Sequence, residues 1–249
     1  LINKIYIIES LRPGDDLTGK ELYQDIIERD ISFYQKEIFH NYNFTESKND
    51  FTYKLNEILE NTRSDDEIVI HIEAHGGNEE MQFGNYELLK WTELENLLVK
   101  INLVCKNKLH LNLATCYGMH VAEKITLTKT APYKSYISAL KELSPSEILD
   151  DNSILYKSII ESQNIFTSFM EFWEQKPKSQ LRIKDIETAM KWITGSHISL
   201  FINHPGILKS FIDPYLNIEI DNSVLSKLKT EKEIVDYVFN LFLSRYLPK

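Results

Sequence analysis

Three features of the 249-residue chain predict an α/β fold, a mostly parallel sheet flanked by helices. Runs rich in isoleucine, leucine and tyrosine alternate with segments of helical period over residues 1–175, the order that βαβ units produce. Two of these runs, IVIHIEAHGG and LHLNLATCYG, are apolar strands that end on reactive side chains, and in an open parallel sheet such groups gather beyond the carboxyl ends of the strands. The composition, 43% apolar and 26% charged, is that of a globular protein with a sizeable core.

The elements follow in order. KIYIIES reads as the first strand. LRPGDDLTG, with Pro13, Gly14 and Gly19, is a turn. KELYQDIIERDISFYQKEIF has Leu22, Ile26, Ile27, Ile31 and Ile38 at helical spacing, with a break expected near Asp30. HNYNFTESKND is polar and reads as a loop. DFTYKLNEILENTR is a helix with Asp50 as its N-cap. After the strand IVIHIEAHGG, residues 81–83 form a short strand, Gly84 and Asn85 a tight turn, and Thr92 with Glu95 a capping box that opens the next helix. KLHLNLATC and APYKSYISAL are strands, with a helix opening directly after Cys116 between them. Ser144-Pro145 starts a helical stretch long enough for two helices. Residues 176–249 read as a helical C-terminal extension packed on the same domain, through IKDIETAMKWITG and TEKEIVDYVFNLFLSRYL, with a short strand between.

A net charge of −9 without a lysine or arginine block disfavours nucleic acid as a partner. No apolar run reaches the roughly 18 residues of a membrane span, and the first strand is too short for a signal-peptide core. Two cysteines, Cys105 and Cys116, make no disulfide framework and point to a reducing cytoplasm.

His75 and Cys116 close two strands 41 positions apart, and the segment between them holds one helix, enough for a right-handed crossover. The strands are therefore expected to be neighbours and the two side chains to face one crevice. An imidazole can take the proton of a thiol, whose anion is the nucleophile. Glycine after the histidine lets backbone N–H groups approach a carbonyl oxygen, so Gly76 and the N–H of Cys116 are candidate oxyanion donors. The helix opening after Cys116 is expected to favour the thiolate. Cys105 precedes its strand without a histidine partner and reads as a buried residue.

A metal site competes for the same residues, because His71, His75, Cys116 and His120 could supply four ligands. On an extended strand, however, His71 and His75 stand about 13 Å apart, a spacing that does not gather ligands. No metal and no cofactor is implied. The Asp65-Asp66-Glu67 run reads as a helix-to-strand loop, and His110 and His120 as surface residues of sheet and helix.

An apolar strand ending in His-Gly, followed by an apolar strand ending in Cys, resembles the caspase-like cysteine peptidases, which include caspases, gingipains, separase and the bacterial CHAT proteins. The resemblance covers residues 1–175. The histidine-to-cysteine spacing is a little shorter than the roughly 50 residues of caspases. Of the caspase pentapeptide Gln-Ala-Cys-x-Gly, the sequence ATCYG keeps Cys116 and Gly118 and departs at Ala114 and Thr115, which points to a bacterial-type relative. The resemblance implies peptide-bond hydrolysis through a thioester, with Cys116 as nucleophile and His75 as general base and acid. It further implies a protein or peptide substrate, and either an activating partner or a neighbouring effector as target. A non-catalytic caspase-fold binding module is the alternative, and a cysteine hydrolase of small esters or amides a third reading.

For substrate binding, Arg12 lies in the loop where caspases carry an arginine for a P1 aspartate. Asp15 and Asp16 follow it and would instead attract a basic P1. Ser135, Tyr136 and Ser138, with Glu142 nearby, are expected to border the groove. Acidic groups outnumber the arginine, so a basic or uncharged P1 is expected.

Overall fold

The structure is a computed structural model. It describes residues 1–116, 118, 121, 130–139, 141–186, 230, 233, 236, 237 and 239–241. The fold is α/β, a mostly parallel sheet flanked by helices. Its strands run in the order β2-β1-β3-β6-β7-β8. These are β1 (Lys4–Ser10), β2 (Phe39–Phe44), β3 (Ile68–Gly76), β6 (Leu109–Ala114), β7 (Ser135–Ala139) and β8 (Leu181–Asp185). All neighbours pair in parallel except β8, which is antiparallel to β7. A small hairpin, β4 (Glu80–Gln82) and β5 (Leu88–Lys90), grows from the end of β3.

Strand alternation divides the core in two. Tyr6, Ile8, Ile70, Ile72, Leu111 and Leu113 point to the face covered by α3 (Lys48–Glu60) and α4 (Trp91–Val104). Ile5, Ile7, Val69 and Ile137 point to the opposite face, under α1 (Thr18–Leu22), α2 (Arg29–Phe33), α5 (Pro145–Ser162) and α6 (Ile165–Gln175). A Ser144 capping box with Pro145 in the first turn opens α5, and Asn164 caps α6, so the long stretch does divide in two.

Several local expectations are corrected. The helix over residues 18–33 does not break near Asp30. It passes through a π-helical segment, Tyr23–Glu28, between α1 and α2. Residues 39–44 are a strand and not a loop. FHNYNF is polar because β2 is an edge strand, whose pairing with β1 supplies the order that apolar burial supplies elsewhere. The N-cap of α3 is Ser47, whose hydroxyl accepts from the Asp50 N–H, so Asp50 lies inside the first turn. α4 starts at Trp91 after Lys90, without a side-chain cap, and Thr92 is not its cap. The C-terminal part does not open as a helix. Ile183 sits in β8, because Leu181–Asp185 completes the sheet against β7. Glu233, Asp236, Tyr237 and 239–241 are helical as expected, whereas residues 187–229 lie outside the described residues. No helix among the described residues is long and apolar enough to cross a membrane.

Candidate active site

β3 and β6 are adjacent, and their ladder runs from Ile68↔Leu109 to Glu73↔Ala114. The ladder ends there: β3 runs on to Gly76, while the other chain turns at Thr115 and Cys116. Gly76 gives the closest measure of the approach. A Cβ on it would lie 2.3 Å from the Cys116 carbonyl oxygen and 3.0 Å from the Thr115 Cβ. Any other residue would push the two strand ends apart, which is the physical reason for glycine after the histidine.

His75 is not held by its own strand alone. Its Nε2 is 2.8 Å from Asp15 Oδ2, and the same oxygen accepts the Arg12 N–H at 2.8 Å. Because β1 lies beside β3, the turn after β1 reaches the end of β3 and delivers Asp15 to the ring. Partial burial pushes the Asp15 carboxyl up, but hydrogen bonds from His75 and the Arg12 N–H outweigh it and hold the carboxyl below its ordinary value. With Nε2–H given to Asp15, Nδ1 is the ring nitrogen left to accept a proton. The His75 and Asp15 side chains are 37% and 35% exposed, so the pair is open to an incoming molecule.

Burial, and secondarily the charge of Glu142, push the Cys116 thiol up from its ordinary value, while the Leu143 N–H acts the other way. Burial and the Glu142 charge both oppose the thiolate that a following helix would favour. Val121 and Gly118 are described, but His120 and the rest of that expected helix lie outside the described residues. Beneath Cys116 is a cavity of about 10 Å³, lined by Ala114, Ala139, Leu143, Ile148 and Leu181 among others. That is room for roughly one water and not for a substrate side chain.

The remaining candidates fall into two groups. Arg12 is braced: it donates to Gln82, the β4 residue opposite His75, and stacks 5.0 Å from the Tyr86 ring, while its Nε has no partner. Ser135, Tyr136 and Ser138 are fully buried, which corrects their place on a groove wall. Ser135 lies level with His110 at the amino end of the sheet and hydrogen-bonds its Nδ1 at 2.6 Å. Ser138 donates to the Leu113 carbonyl at 2.8 Å, and the Tyr136 hydroxyl donates to the Gly118 carbonyl, so both support the Cys116 turn from below. His110 is buried and not on the surface. Among the described residues no group of histidine, cysteine, aspartate and glutamate side chains gathers as a metal site.

Asp15 is the residue whose role the sequence did not disclose. Its signal was positional: an acidic turn directly after the strand that neighbours β3. No family model matches the chain, and no curated protein matches it.

Proposed function

We propose that the chain is a cysteine endopeptidase of caspase-like type, working through His75 and Cys116. The observation that carries this reading is the approach of the two strand ends, where Gly76 lies against the Cys116 backbone and His75 is turned by Asp15. In this mechanism Nδ1 of His75 takes the Cys116 proton, and the sulfur attacks the scissile carbonyl carbon. The N–H groups of Gly76 and Cys116 stabilise the oxyanion. The intermediate collapses to a thioester as the C–N bond breaks and His75 returns the proton to the leaving amine. Water then gives a proton to His75 and attacks the thioester, releasing the acid and restoring the thiol.

The substrate is a protein or peptide with a basic or uncharged P1. Glu142, whose charge Cys116 senses, favours that sign, while Asp15 is engaged by His75. The narrow cavity and the protonated thiol fit a resting form that an activating partner opens. Two free cysteines, one of them buried, suit a cytoplasmic setting, with neither nucleic acid nor membrane as partner.

Iodoacetamide labelling with a His75→Ala control tests the dyad. Cys105 is fully buried and its thiol is pushed up to about 11, so Cys116 should label first in any case. The deciding result is a clear slowing of Cys116 labelling in the His75 variant. Equal rates, together with no cleavage of a peptide library, would instead support the non-catalytic binding module.

A further inference from the structure

Next to the dyad, on the same sheet face, the fold buries two carboxyl groups that the reaction does not use. Glu9 and Glu73 are paired residues of β1 and β3, 0% and 3% exposed. Both converge on the start of α1: a Cβ on Gly19 would lie 3.0 Å from Glu9 Oε1 and 3.0 Å from Glu73 Oε2. Three donors serve their four oxygens. The Gly19 N–H reaches Glu9 Oε1 at 2.8 Å, the Tyr42 hydroxyl reaches Glu9 Oε2 at 2.6 Å, and the Thr18 hydroxyl donates to Glu73 Oε1. The fourth oxygen, Glu73 Oε2, has His71 Nε2 at 3.4 Å.

No lysine or arginine pairs with either carboxyl among the described residues. The groups facing Glu73 are Glu9 from β1, Thr18 from α1, His71 from its own strand and Tyr156 from α5, with Tyr42 reached through Glu9. His71 is fully buried and pushed down to about 4, so it is neutral and brings no positive charge. Two adjacent carboxylates without a counter-ion cannot both stay ionised in such a place.

We propose that Glu9 and Glu73 share one negative charge, with the proton on Glu73. In this form the pair clamps the start of α1 and so fixes the preceding turn, which sets Asp15 against His75. Glu9 is the charged member because both of its oxygens receive donors. The Glu73 proton lies on Oε2, the oxygen that α1 leaves unserved. Burial pushes both groups up, Glu73 to about 8. Above that range a second charge arrives beside Glu9, and repulsion between the two buried carboxylates drives them apart and loosens the start of α1. The link to His75 rests on the dyad reading above. The clamp itself does not, and its test is independent of hydrolysis.

The sign of the pH dependence is fixed. A folded pKa above the unfolded one gives stability that is full below about pH 4.5 and is lost as pH rises towards 8. Equilibrium unfolding of wild type and Glu73→Gln should therefore be measured from pH 5 to 8.5. The glutamine mimics the protonated acid. Relative to that variant, the wild-type unfolding constant should rise by up to about tenfold per pH unit. Hydrogen exchange of residues 11–22 gives the second readout. Above pH 8 wild type should lose protection beyond the intrinsic base catalysis, Glu73→Gln should keep it, and Thr18→Val should lose it at every pH. Parallel pH slopes for wild type and Glu73→Gln would overturn the protonated clamp. Unchanged exchange in Thr18→Val would overturn its hold on the turn.

Discussion

Glu67 and Glu73 stand at the two ends of one strand, and the fold drives their carboxyls in opposite directions. Glu67, at the amino end of β3, is held down to about 2 by the hydrogen bond from His110 and the nearby Lys134, against the upward push of burial. Glu73, near the carboxyl end, is pushed up to about 8 by burial alone. Among the described residues the amino end of the sheet is thus electrically closed: Glu67 faces His110 and Lys134, and Asp66 faces Lys4. Towards the other end, His71 Nδ1 in the middle of β3 and Arg12 Nε in the turn after β1 have no hydrogen-bond partner, and the thiol and imidazole stand at the rim. Unsatisfied polarity is costly, and these atoms set the surroundings of Glu73 and the turn after β1 apart from the paired end.

If that contrast is functional, the largest effect belongs to the sulfur at the open end. Cys116→Ala should abolish peptide cleavage while costing about 1 kcal/mol or less in stability, because it removes one atom at a half-exposed turn. Cleavage assayed beside denaturant unfolding checks both halves. Persisting hydrolysis would move the nucleophile elsewhere.

Asp15→Asn comes next. The amide keeps the shape but no longer accepts a hydrogen bond as an anion, so His75 loses the partner that fixes its tautomer. On any peptide the wild type cleaves, kcat should fall about 100-fold or more, with KM little changed. Thermal stability should stay close to wild type, because the pair is more than a third exposed.

The closed end should respond in stability and not in catalysis. A folded pKa below the unfolded one gives stability that is present above about pH 4.5 and lost as pH falls towards 2. Glu67→Gln should therefore be less stable than wild type at pH 7, by on the order of 1–2 kcal/mol after solvent screening, and the difference should vanish in acid. Urea titrations at several pH values measure it. This slope is opposite in sign to the one expected for Glu73, which makes the two glutamates internal controls for each other.

The sequence disclosed the order of strands and helices wherever apolar period was strong, as in IVIHIE, LHLNLA and the α5 stretch. It failed at β2 and β8, because edge strands draw their order from a neighbour and are free to be polar. The same limit explains the site. His75, Gly76 and Cys116 carry local signals, since strand ends and glycines are visible in one dimension. The pairing of Asp15 with His75 is not, because it depends on β1 lying beside β3, and the burial of Ser138 and Tyr136 depends on which face of β7 each residue takes. Glu9 and Glu73 were silent for the same reason: each looks like an ordinary charged residue until the register sets one beside the other.

The smallest effect expected at the open end concerns Glu142. Its carboxylate is exposed, yet it adds to burial in pushing the Cys116 thiol up, because like charge near a forming thiolate disfavours ionisation. Glu142→Gln should let the thiol ionise at a lower pH, so iodoacetamide labelling at neutral pH should quicken. Raising ionic strength should give wild type part of the same gain, since salt screens an exposed charge. It should give the variant none of it. A labelling rate that ignores both the substitution and the salt would assign the high thiol pKa to burial alone, and would leave Glu142 free to act only on the charge of the substrate.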